Sequence, residues 1–84
     1  MEFRRYSFLN DKNDTMSFDF EGYLSSNCEF ILTDYSVFLF NDTIGNFEEL
    51  KTTICKRYYL NNFGKNILAA HLKEQTSTTI KVIS

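Results

Sequence analysis

His71 is the single histidine of the chain, so any acid–base work by an imidazole rests on it. On a helix it shares a face with Glu74, three residues on. One imidazole and one carboxylate make at most half of a metal centre. His71 therefore reads as a partly exposed helical side chain, and no metal or other cofactor is expected. Asp11-Lys12-Asn13-Asp14-Thr15 opens like a calcium loop. Met16 then stands where such a loop needs glycine, and Gly22 where it needs a bidentate glutamate. Glycines 22, 45 and 64 form no phosphate-cradling loop, and Gly64-Lys65 lacks the pattern that would precede it. No serine sits in a nucleophile elbow. The residues assemble no catalytic set, and the expectation is that the protein is not an enzyme.

Cys28 and Cys55 form no C-x-x-C pair. Arg4-Arg5 faintly resembles a twin-arginine export signal, but Asn10 to Thr15 is polar where an apolar segment should follow. The chain accordingly reads as an intact cytoplasmic protein. In a reducing compartment both cysteines are expected as buried small hydrophobes, not as a disulfide.

The elements that would position any site follow from the pattern of apolar residues. Residues 2–9 read as an aromatic strand, and 10–14 as an Asn/Asp turn. Met16, Phe18 and Phe20 alternate with Ser17, Asp19 and Glu21, which is a half-exposed antiparallel strand with Gly22 at a bulge or end. Residues 28–33 and 36–41 read as two further strands joined by a loop over 33–36, the alternatives at Asp34-Tyr35 being a tight hairpin or a bulge in one long strand. Asn46 with Glu49 then resembles a capping box, and Phe47, Leu50, Ile54 and Tyr58 repeat at helical spacing. Leu60-Asn61-Asn62 reads as a stop. A second helix over about 63–74 would turn Phe63, Ile67, Leu68 and Leu72 inward, and residues 78–83 would close the chain as a strand. The expected fold is a single α+β domain over residues 1–84: about four antiparallel strands, two helices on one face, then a C-terminal strand. No purely apolar stretch, Val37 to Phe40 included, comes near the length of a membrane span.

Charge is divided unevenly along the chain. Net charge is −2. Residues 1–49 set Arg4, Arg5 and Lys12 against ten acids, a net of −7, whereas residues 50–84 set six bases against Glu74, a net of +5. Such asymmetry bears on partners rather than on fold. Asp19 and Glu21 share a strand face with Cα atoms ~6.6–6.8 Å apart, close to the spacing of successive phosphates. With Glu29 and Asp34 they form a candidate acidic docking face. In the basic half, Lys51, Lys56, Arg57 and Lys65 mix with aromatics over 51–66, a candidate site for an anion or nucleic acid. A sequence pI near 5.2 argues against nucleic acid as the main partner.

Nine Phe and five Tyr are more ring than one face of a small sheet readily buries. Tyr6, Phe8, Phe38, Phe40 and Tyr59 are the candidates for an exposed patch, which would be covered by a partner or by a second copy of the chain. Phe, Tyr, Ile, Asn and Lys make up 34 of 84 residues, and Gly, Ala, Pro and Arg only 8, as in a gene from an AT-rich genome. Together these features suggest a small cytoplasmic inhibitor encoded by a phage or mobile element, acting on a host protein by protein–protein contact. Anti-defence proteins, anti-CRISPR proteins among them, work in that way. The alternatives are a nucleic-acid-binding regulator using 51–66, and an immunity protein or antitoxin.

Overall fold

Residues 2–27, 29–73 and 80–82 are described by a computed structural model of the chain. The fold is small α+β, with a four-strand antiparallel sheet and a helix packed on one of its faces. The strands are β1 (Glu2–Leu9), β2 (Thr15–Leu24), β3 (Phe30–Asn41) and β4 (Asn46–Glu49), in spatial order β1-β2-β3-β4. A three-residue stretch, β5 (Ile80–Val82), runs parallel to β3 and pairs with Phe30–Leu32. Met1, Cys28, residues 74–79 and residues 83–84 lie outside the described residues. The expected burial of Cys28 and the rest of the expected last strand fall there.

The register explains which side chains are buried. Phe18 pairs with Val37, Met16 with Leu39 and Phe20 with Tyr35, so all six share one face. Met16, Phe18, Phe20, Val37, Phe30 and Leu32 are buried there with Leu60, Leu68 and Leu72 of the helix. Each such side chain contributes ~1.5–3 kcal/mol on burial. Beyond Phe20 the register shifts between Glu21 and Gly22; Gly22, expected at a bulge or strand end, lies within β2, and the unpaired residue is Thr33 of β3 opposite it. A Cβ on Gly22 would collide with the Ile31 carbonyl oxygen and press on the Phe30 ring.

Four sequence expectations are corrected. The loop expected over 33–36 is absent: β3 is one long strand of 12 residues that pairs with β2 from Phe30 to Leu39, with Thr33 left unpaired at a bulge. The capping box at Asn46 does not start a helix. Its Oδ1 instead accepts the Phe47 N–H at 2.8 Å within β4. The chain reaches β4 through a turn in which the Gly45 N–H bonds the Asn41 carbonyl, with Gly45 at φ +68°. That left-handed angle is the one glycine takes without steric cost. Phe47 then meets Phe40 edge to face at 5.3 Å, so a cross-strand ring pair outweighs local helix signals.

The third correction concerns the helices. No break occurs at Leu60-Asn61-Asn62. α1 (Thr53–Tyr59), a π-turn (Leu60–Gly64) and α2 (Lys65–Lys73) join without leaving helical backbone angles, so two expected helices are one rod. The Asn62 side-chain amide donates to the Tyr58 carbonyl at 2.8 Å inside the wider turn. The turn also sets the buried stripe. Leu60, Gly64, Leu68 and Leu72 are all buried at steps of four. In a pure α-helix each such step overshoots by ~40°, which would swing Leu72 off the sheet. The π-turn removes about one residue's rotation and keeps the stripe in contact. Ile54 and Tyr58, expected inward, are 79% and 48% exposed, and Phe47 and Leu50 precede the helix altogether. Cys55 is exposed, not buried as expected.

Candidate functional site

The sheet has a second face that the helix does not touch. Alternation places Ser17, Asp19, Glu21, Asp34, Phe38, Phe40, Phe47 and Glu49 there, because Ser17 pairs with Phe38, Glu21 with Asp34, Phe40 with Phe47 and Phe38 with Glu49. The structure therefore brings together three of the four expected acidic residues and two of the five expected aromatics. Glu29 is not among them. It closes a turn in which its N–H bonds the Ser25 Oγ and its carbonyl accepts the Ser25 N–H.

Tyr6, Phe8 and Tyr59, expected in the same patch, lie on the helix-covered face and pack against the core. Phe8 stacks on Phe18 at 4.9 Å and meets Phe63 at 5.1 Å. The Tyr6 hydroxyl lies 3.0 Å from His71 Nδ1, and burial pushes its phenol pKa up. The excess of aromatic rings is thus shared between two faces.

Arg5 is the residue that sequence reasoning missed on the open face. The register shifts between Phe3 and Tyr6, and Arg5 in that bulge has φ +59°. This angle costs a non-glycine residue roughly 1–2 kcal/mol. The Arg5 N–H bonds Asp19 Oδ1 at 2.9 Å. Its guanidinium lies 5.2 Å from the Phe38 ring centroid and 5.5 Å from that of Phe47, within range of cation–π attraction. To reach Phe38 on β3 it must cross β2. Ser17, the β2 residue paired with Phe38, is fully buried, and its Oγ has no hydrogen-bond partner. The bulge re-aims the Arg5 side chain, and the guanidinium reaches across β2 to both rings.

The cations expected over 51–66 are placed differently. Lys51 stands in the connection before the helix and pairs with Glu49 at 3.3 Å. Lys56, Arg57 and Lys65 line a cleft of about 340 Å³ between β3 and the helix, with Leu32, Thr33, Asp34, Tyr35, Leu60 and Asn61. The aromatics Tyr58, Tyr59 and Phe63 instead border a smaller hollow with Asn10, Asp11 and Lys12. The helix therefore turns its own cations and its own rings toward different hollows, and the interleaved stripe that 51–66 suggested is not formed. Among the described residues no cluster of metal-ligating side chains occurs, and no helix is long and apolar enough to cross a membrane.

The cleft exists because the sheet is split at its β3 edge. β4 pairs with Phe38–Asn41 and β5 with Phe30–Leu32. Leu50 adds one bond to the Val37 carbonyl at 2.8 Å. Between them, Asp34 Oδ1 accepts the Tyr35 N–H at 2.8 Å, as a side chain standing in for a neighbouring strand. Lys56 Nζ lies 5.2 Å from the Tyr35 ring centroid. Burial raises the Tyr35 phenol pKa, while the nearby Arg57 pulls it down and Asp34 pushes it up. The chain matches no protein-family model, no curated protein and no solved structure.

Proposed function

We propose that this protein is a non-enzymatic binding protein that docks on a partner protein through the open face of its sheet. The observation that carries the reading is the direct pairing of Glu21 with Asp34 beside Asp19, next to the half-buried Phe38, Phe40 and Phe47. Like charges directly opposite on a sheet are destabilising. A partner with a basic, partly apolar surface relieves that repulsion and covers the rings, giving the apolar centre and polar rim of a protein interface. Small size, AT-rich composition and the absence of a catalytic motif in the sequence support an inhibitor encoded by a phage or mobile element and directed at a host protein. Immunity proteins and antitoxins would use the same mode.

The test is crosslinking in cells that carry the gene, from a photoreactive residue placed at Phe40. One stoichiometric partner is expected, and Asp19→Lys with Glu21→Lys should abolish its capture while circular dichroism shows the fold retained. Undiminished capture by the charge-reversed protein would sink the open-face reading. Arg57→Gln, in the cleft, should leave capture unchanged.

A further inference from the structure

We propose that the cleft between β3 and the helix binds a small organic phosphate the size of a nucleoside monophosphate. It shares only Asp34 with the docking face, and its cations, Lys56, Arg57 and Lys65, belong to the cleft alone. Three cations line the cleft against one carboxylate, Asp34, and that carboxylate is engaged by the Tyr35 N–H. Among the described residues, Lys56, Arg57 and Lys65 form no ion pair, and Lys56 instead rests against the Tyr35 ring. Charges of one sign gathered around a concave, partly apolar wall repel one another and concentrate field on any anion that enters.

The helix geometry shows that this gathering is built by the fold. Thr53, Lys56, Arg57, Leu60, Asn61 and Lys65 all line the cleft. Their spacing of three and four residues is one continuous helix face. Lys65 joins that face across the π-turn, an element that recurs at functional sites. The same turn aims Leu60 into the core, so the cleft has a rigid floor of Leu32 and Leu60. Arg57 can grip a phosphate with two parallel N–H groups, whereas lysine acts as a point charge.

Size and lining argue for more than a bare anion. A volume of about 340 Å³ lies within the range of small-molecule sites and far exceeds one phosphate. Lys56 and Lys65 are nine residues apart, roughly 13 Å along the rod. A compact phosphate cannot satisfy both ends without drawing the side chains together. A ligand with a flat or apolar body can place that body against Leu32, Leu60 and the Tyr35 ring while its phosphate meets the cations. Thr33, Thr53 and Asn61 supply further hydrogen-bonding side chains in the lining.

The experiment titrates the purified protein with AMP, GMP, CMP, UMP, inorganic phosphate and a short single-stranded oligonucleotide. It follows amide shifts by NMR and melting temperature together. At least one mononucleotide should bind with Kd below ~1 mM, move the Leu32, Tyr35 and Asn61 amides, and raise the melting temperature. Arg57→Gln and Lys65→Gln should each weaken binding about tenfold or more, while Lys51→Gln, outside the cleft, should not. Binding of inorganic phosphate as tight as the best nucleotide would overturn the need for an organic body. Much tighter binding of the oligonucleotide would overturn the small-ligand assignment in favour of nucleic acid. No shift in the cleft amides with any mononucleotide at ~5 mM would overturn the proposal. Because both glutamine variants are exposed surface changes, unaltered spectra elsewhere separate lost binding from lost folding.

Discussion

Glu21 and Asp34 stand directly opposite each other across β2 and β3, two carboxylates paired on the open face of the sheet. Repulsion between directly opposed like charges costs ~0.2–1 kcal/mol. Glu21→Gln should therefore stabilise the free protein by about that amount, measured by urea unfolding at low salt. The gain should shrink at high salt, because exposed charges are screened. A stability unchanged at low salt would show that the pair is not strained.

Gly64 lets the helix approach the sheet. A Cβ there would meet the Phe18 ring at 2.9 Å and the Leu60 Cδ1 at 3.1 Å. Alanine gains ~1 kcal/mol over glycine in a helix interior, but overpacking a core costs ~1–3 kcal/mol. The steric term wins because Phe18 is fully buried and cannot move aside. Gly64→Ala should lower stability by about 1 kcal/mol net, read as a lower urea midpoint. Were the midpoint to rise, the helix would lie farther from Phe18 than the contact distance implies.

The inward helix face can be checked by a paired substitution. Leu68 is fully buried and Ile54 is 79% exposed. Leu68→Ala should cost ~2–5 kcal/mol, whereas Ile54→Ser should fall within about 0.5 kcal/mol of the wild type. Comparable losses at both positions would restore the face that Phe47, Leu50, Ile54 and Tyr58 suggested.

That contrast shows what could be read from sequence and what could not. The alternation of Met16, Phe18 and Phe20 with polar residues reports burial on one strand directly, since period two admits one assignment of faces. Asp19 and Glu21 follow from it, and Asp34 joins them through the register. The helix was half legible: Phe63, Ile67, Leu68 and Leu72 pack on the core as their spacing indicates, whereas Phe47 and Leu50 precede the helix and the face drawn on through Ile54 and Tyr58 points outward. Phe47 belonged to both patterns, and its ring contact with Phe40, a non-local term, decided for the strand. Arg5 left no pattern in the sequence. Its role depends on a bulge and a left-handed backbone angle, and local propensity signals neither. The cleft was half legible: steps of three and four from Thr53 to Lys65 mark a face, but only the fold pairs that face with Tyr35.

Alkaline pH should expose the cost of burying two phenols. Burial raises the pKa of both Tyr6 and Tyr35 above 10.0 in the folded state. A group with a raised folded pKa stabilises fully below its unfolded pKa and loses that contribution as pH climbs through the folded value. Stability should therefore hold to about pH 10 and fall above it. Lysines also titrate in this window, so the informative quantity is a difference between proteins. Tyr6→Phe keeps the ring contacts with Phe20 and His71, at 6.0 and 5.4 Å, while removing the ionisable hydroxyl. It also removes the contact to His71 Nδ1, so it should cost about 0.5–1.5 kcal/mol near pH 8. Between about pH 8 and about pH 11 the double variant Tyr6→Phe, Tyr35→Phe should lose less stability than the wild type. The comparison needs only urea midpoints at the two pH values. Parallel losses in the two proteins would mean that neither phenol is held neutral by the fold.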